Sequence, residues 1–209
     1  MKKLLAMTAL CLSPALAEPV APAALFNPSA PQLKAACDDG YAAVEIGVDA
    51  PLPKYIYTLA GTFGDGYSLQ TVQGSILSHC HAQASDLAAV PDVTKLSRLL
   101  VVMLSGSGPS ERLEDTKAWA AALSVRDKAG KELVRLSPTQ QIEADPRHWR
   151  VNCASRVCTW RGANFYTFDL TKLPAATRDQ AMKGTSVAVI VNGGNGIETF
   201  TVDTTQLGR

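Results

Sequence analysis

Trp119-Ala-Ala-Ala-Leu-Ser-Val-Arg126, Asp127-Lys-Ala-Gly130 and Lys131-Glu-Leu-Val-Arg-Leu136 read as two short arms around a tight turn. Ala121, Leu123 and Val125 alternate along the first arm, the period of a strand with one covered face. Gly130 supplies the positive φ that a tight hairpin needs.

The same reading extends in both directions. Residues 185–191 and 197–203 flank Asn192-Gly-Gly-Asn-Gly196, and Val187, Val189 and Val191 share one face, which predicts a last hairpin. Residues 149–153 and 158–162 predict another, with Cys153 facing Cys158 and Val151 facing Trp160. Residues 165–170 predict a strand ended by Leu173-Pro174. Upstream, residues 99–104 are continuously apolar and suit a central strand. Ser105-Gly-Ser-Gly-Pro109 stops that run, and residues 105–117 read as a polar loop. Residues 55–59 and 67–72 are β-prone, and residues 42–48 alternate with Val44, Ile46 and Val48 on one side. Ile76, Cys80, Ala84 and Leu87 fall at helical spacing, predicting a short helix over 75–89. Residues 136–147 read as a surface crossover.

The sum is about eight to ten short strands, most joined by glycine turns, with at most one or two short helices. The expected fold is all-β and mainly antiparallel, a β-sandwich with Greek-key features.

The first residues carry a different signal. Lys2 and Lys3 precede an apolar run over 4–12, then Ser13-Pro14 and Ala15-Leu16-Ala17. A charged start, a short apolar stretch and a small-x-small exit predict a cleavable signal peptide over residues 1–17. The run is far short of the about 20 residues that span a bilayer, and no later stretch is long and apolar enough, so the mature chain is expected to have no transmembrane span. Residues 18–36 are rich in proline and alanine and predict an extended lead-in, which Leu25, Phe26 and Leu33 dock on the body. Residues 37–209 are expected to form a single β-rich globular domain.

Composition narrows the partners. Of 209 residues, 20 are Lys or Arg and 19 Asp or Glu; two lysines leave with the leader. A nearly neutral mature chain lacks the basic excess of a nucleic-acid binder, so no nucleic-acid partner is expected. Of the five cysteines, Cys11 also leaves. Cys37, Cys80, Cys153 and Cys158 remain, an even number that implies two disulfides in an oxidising compartment. Three pairings are possible. The hairpin register favours Cys153–Cys158, which leaves Cys37–Cys80 by elimination. The expected location is extracytoplasmic: periplasm, cell surface or medium.

Catalytic signatures are weak. His79-Cys80-His81 would share a zinc only on a strand and with a third ligand. A Cys2His2 set adding Cys153 and Cys158 would unite distant segments. The spacing of those two cysteines is not that of a redox pair. Ser105-Gly-Ser-Gly108 is neither a nucleophile elbow nor a phosphate loop. His148 cannot be tied to a serine and an acid, and Asp38-Asp39-Gly40 and Asp65-Gly66 are too sparse for calcium. No metal and no cofactor are expected.

One segment stands out. Arg147, Trp149, Arg150, Arg156, Trp160 and Arg161 cluster around the expected Cys153–Cys158 bridge, with no acid between Asp145 and Asp169. Arginine and aromatic residues are enriched at binding hot spots. The expectation is an exported, non-enzymatic binding or interaction domain using this hairpin, with a protein, a glycan or an anionic envelope polymer as partner. Alternatives are an extracytoplasmic hydrolase or metal-dependent enzyme whose residues converge only in the fold, and a structural envelope protein.

Overall fold

A computed structural model describes residues 16–62, 65–109, 116–142, 149–154, 157–193 and 196–208. Among the described residues ten strands form two antiparallel sheets. The first sheet holds β1 (Ile56–Thr62), β2 (Asp65–Gln70), β3 (Leu99–Pro109) and β8 (Val157–Asp169) in that order. β6 (Gln140–Ile142) and β7 (Trp149–Ala154) both pair with β8, at residues 165–167 and 157–162 respectively. The second sheet runs β10 (Gly196–Thr201), β9 (Ser186–Gly193), β4 (Ala120–Arg126), β5 (Glu132–Leu136). The architecture is mainly antiparallel β and sandwich-like, with no closed barrel among the described residues.

Register places the large apolar side chains on facing sides. In the first sheet Leu100, Val102 and Leu104 lie opposite Phe168, Tyr166 and Asn164, with Tyr67 and Leu69 on the other flank of β3. In the second, Leu123 and Val125 lie opposite Val189 and Val187, with Phe200 and Leu136 beyond them. These apolar residues are buried or nearly so, and they join one core cluster. Each fully buried Leu, Val or Phe contributes roughly 1.5–3 kcal/mol of transfer free energy. Tyr67 of the first sheet meets Phe200 of the second with ring centroids 5.6 Å apart. The chain changes sheet after β3, returns after β5 and crosses again after β8, so β3 beside β8 in one sheet matches β4 beside β9 in the other.

Several polar groups inside are satisfied locally. Asn164 is buried, and its Nδ2 donates to the Thr116 carbonyl at 2.7 Å and to the Tyr166 hydroxyl at 3.3 Å. The Ser105 hydroxyl accepts from Gly66 N and donates to Gly66 O, tying the β1–β2 turn to β3. Buried Asp169 accepts from Thr171 and pairs with Lys172 at 3.1 Å. Burial alone would raise this carboxyl, but the Thr171 and Lys172 contacts outweigh it and hold it below the usual aspartate value. Burial, then the Glu198 carboxylate, push the Tyr67 hydroxyl up to about 12.

Four α-helices appear among the described residues, where at most one or two short ones were expected. α1 (Pro22–Phe26) and α2 (Ala30–Glu45) replace the extended lead-in over 18–36. The prolines misled because Pro22 and Pro31 sit in first helical turns, where no backbone N–H is required, and Pro19 and Pro28 lie outside the helices. Ser29 and Gln32 form a reciprocal capping box that starts α2. Leu25, Phe26 and Leu33 are in the core, as the docking expectation held. The strand expected over 42–48 is instead the end of α2, with Ile46 and Val48 exposed beyond it. The working periodicity was Leu33, Ala36, Cys37, Gly40 and Ala43, a face of mostly small residues whose weak hydropathy hid it.

α3 (Val72–Ser85) is the helix expected near 75–89, begun by the Thr71 cap. Ile76, Cys80 and Ala84 are buried as its spacing implied, whereas Leu87 lies past the end, exposed, with φ of 57°. Cys37 and Cys80 are bonded and fully buried between α2 and α3. Gly40 lies one turn along α2, so close to α3 that an added Cβ would sit 2.7 Å from Leu77 O and 2.9 Å from His81 N. α4 (Ala175–Ala181) joins β5 through Gln180 Nε2 donating to Leu133 O.

The two ends of the described chain are stitched in. Val20 N donates to Val202 O and Thr204 N to Glu18 O. Leu207 bridges to Tyr57, and Gly208 N donates to Ile56 O on the edge of β1.

Candidate functional site

The hairpin expected from the cysteine spacing is present. β7 pairs with β8 in the register that sets Cys153 against Cys158, and the two are bonded. Val151 faces Trp160 as expected. β3 runs antiparallel on the other flank, with Ser107 to Pro109 opposite Arg161 to Thr159. Residues 105–109 are thus the continuation of a strand, where a loop was expected.

The reason lies in two indoles. Trp160 is 5% exposed and meets Trp119 edge to face at 6.1 Å. A Cβ at Gly106 would fall 2.9 Å from the Trp119 ring, and one at Gly108 would fall 3.2 Å from the Trp160 ring. Gly106 and Gly108 leave the bare strand on which Trp160 lies, so glycines that read as a loop signal are a packing requirement. Trp160 is accordingly a correction to the contact set: it is a core residue that anchors the hairpin, unavailable to a partner.

The other face is outward. On it register sets Arg150 opposite Arg161; Trp149, opposite Gly162, is at the alternate positions of the ladder, those of Val151 and Trp160. Arg161 is exposed. Val157, on the Arg161 side, is 66% exposed; Val151, opposite Trp160 and so on the Trp160 side, is 48% exposed. Cys153 is exposed and Cys158 half-buried. Arg147, Arg156 and His148 lie outside the described residues, as does most of the expected signal peptide. Two arginines of the expected set are therefore brought together by register and one tryptophan is withdrawn into the core.

The histidine pair is not assembled. His79 and His81 lie on α3, a helix rather than a strand, with Cys80 between them committed to its bond. At about 100° per residue the two imidazoles diverge. Among the described residues no three His, Cys, Asp or Glu side chains come together in a metal-binding group.

A feature absent from the sequence reading is a cleft of about 430 Å³ at the opposite end of β8. Phe26 and Asn27 at the end of α1, Arg98 before β3, Leu170, Thr171 and Leu173 after β8, and Arg178, Asp179 and Ala181 of α4 with Met182 just beyond it line the cleft. Arg98 is held twice: Leu170 N donates to its carbonyl at 2.9 Å, and its guanidinium donates to Asn27 Oδ1. Arg178 is exposed on α4. No sequence signal marks this cleft, because its parts are separated by about 70 residues at two places. A second groove, about 450 Å³, lies between the start of α2 and residues 90–94 and is almost wholly apolar.

Comparison with known proteins gives no match to a family model, a curated sequence or a solved structure.

Proposed function

We propose that this chain is an extracytoplasmic, non-enzymatic binding domain whose contact surface is the outer face of the β7–β8 hairpin. The observation that carries this reading is the pairing of an exposed apolar and cationic face with a rigid support. Val157 and Arg161 are exposed on β8, and Arg150 is set opposite Arg161 by register. The Cys153–Cys158 bond closes the tip, and Trp160 roots the same strand in the core. A surface already ordered loses little conformational freedom on binding. Neighbouring arginines favour an anionic partner, a protein or an envelope polymer.

Two disulfides support an oxidising compartment. Among the described residues no helix is long and apolar enough to cross a membrane. The leader over residues 1–17 belongs to this same reading.

Titration with dextran sulfate and polyglutamate at low salt tests the surface. Arg161→Glu and Val157→Asp should each weaken binding about tenfold or more with unchanged unfolding midpoints. Wild-type affinity in both variants would remove the hairpin as the contact. Intact-mass analysis of the exported protein, with and without alkylation, tests the compartment. Loss of residues 1–17 and no alkylated thiol are expected; an intact N-terminus in the cytosol would refute export.

A further inference from the structure

We propose that the Arg98–Arg178 cleft is a second, independent binding site, for a small organic carboxylate that carries an apolar body. The cleft's apolar part is Phe26, Leu170, Leu173 and Met182. Its volume of about 430 Å³ falls within the size of small-molecule sites, roughly 300–1,000 Å³. Arg98 and Arg178 both line this space. Among the described residues, neither has a carboxylate within 4.0 Å, although Asp179 lines the cleft. Arg98 is positioned before any ligand arrives, its backbone by Leu170 and its guanidinium by Asn27. A cation fixed by neutral groups beside apolar walls keeps its charge available for an incoming anion.

The charge count selects the head group. Two arginines and one aspartate leave a single positive charge across the lining, which matches a monoanion and disfavours a phosphate dianion. The apolar walls then select a carboxylate with an acyl or aryl body over a bare inorganic ion. The site is separate from the hairpin: the nine residues from Arg161 to Leu170 at about 3.3 Å each put the two about 30 Å apart.

The test uses the mature full chain and sodium octanoate, followed by calorimetry and by amide shifts in NMR. 1-Octanol tests the apolar body alone and inorganic phosphate the anion alone. Saturable one-to-one octanoate binding is expected, with shifts at Arg178 and Met182 and with octanol and phosphate at least about tenfold weaker. Arg98→Gln and Arg178→Gln should each weaken octanoate about tenfold. Arg178 is exposed, so its variant decides the matter even if Arg98→Gln fails to fold. Arg161→Glu on the hairpin should leave octanoate binding unchanged. Absence of saturable octanoate binding, equal affinity for octanol or for phosphate, or full affinity in Arg178→Gln would each overturn the proposal.

Discussion

Replacing Gly40 by alanine sets two effects of opposite sign against each other. Alanine is the better helix former by about 1 kcal/mol, so propensity alone predicts a more stable α2. The contact says otherwise. The new Cβ would lie 2.7 Å from Leu77 O and 2.9 Å from His81 N, and both are backbone atoms with no rotamer to yield. The helices must part by several tenths of an ångström, and the Cys37–Cys80 bond one turn away resists that. Overpacking of a rigid contact costs about 1–3 kcal/mol, occasionally more. The upper end applies here, so the net loss should be about 2 kcal/mol. With a urea slope of about 2 kcal/mol per molar, the midpoint falls by about 1 M. Ala42→Gly, at an exposed position on the same helix, should lose only about 1 kcal/mol through propensity. In a Cys37→Ala/Cys80→Ala background the helices can separate, and the Gly40→Ala loss should shrink, a coupling that a double-mutant cycle reads directly. A Gly40→Ala protein as stable as the wild type, or more so, would refute the close-contact argument.

The two disulfides should differ in worth. Removing Cys37–Cys80, 43 residues apart, should cost about 4 kcal/mol, and removing Cys153–Cys158, five apart, about 2; urea unfolding that gives the reverse order would contradict the loop-closure account. Trp160→Ala should cost about 3–5 kcal/mol and flatten the near-ultraviolet dichroism of the indole pair, and a loss under 1 kcal/mol would mean the indole is not a core anchor. Asp169 titrates below its unfolded value, so its stabilisation is complete above about pH 4 and fades as pH falls through the lower folded value. Asp169→Asn should therefore flatten the acid limb of a stability–pH curve and leave the alkaline limb unchanged. Tyr67, raised to about 12, stabilises fully below about pH 10 and loses that as pH climbs towards 12. Tyr67→Phe should flatten the alkaline limb alone; an unchanged limb would show that Tyr67 does not govern it.

Most strands were legible because each has a period of two and a turn residue that admits positive φ. Gly130, at φ of 80°, closes β4 to β5 where the glycine was expected to act, and Gly196, at 93°, begins β10. The β7–β8 register followed from the cysteines, since only one alignment sets 153 against 158. The N-terminal helices were not legible from hydropathy, because α2 turns alanine, cysteine and glycine towards α3. Their real signal was the Ser29–Gln32 capping box with proline in the first turn. The extent of β3 was missed because glycine was weighed for what it does alone, when Gly106 and Gly108 answer to Trp160 across the sheet. Arg98 and Arg178 meet only through long-range folding, so no local window holds both.

The pairing of residues 18–20 with residues 202–204 has a consequence for biogenesis. A chain made from its N-terminus presents Val20 early, yet its partner carbonyl is synthesised some 180 residues later. That clasp cannot fasten on a nascent chain. Until synthesis passes residue 204 the edge near Val187 also lacks the Val202 amide, which leaves that edge of the sheet unpaired on a nascent chain.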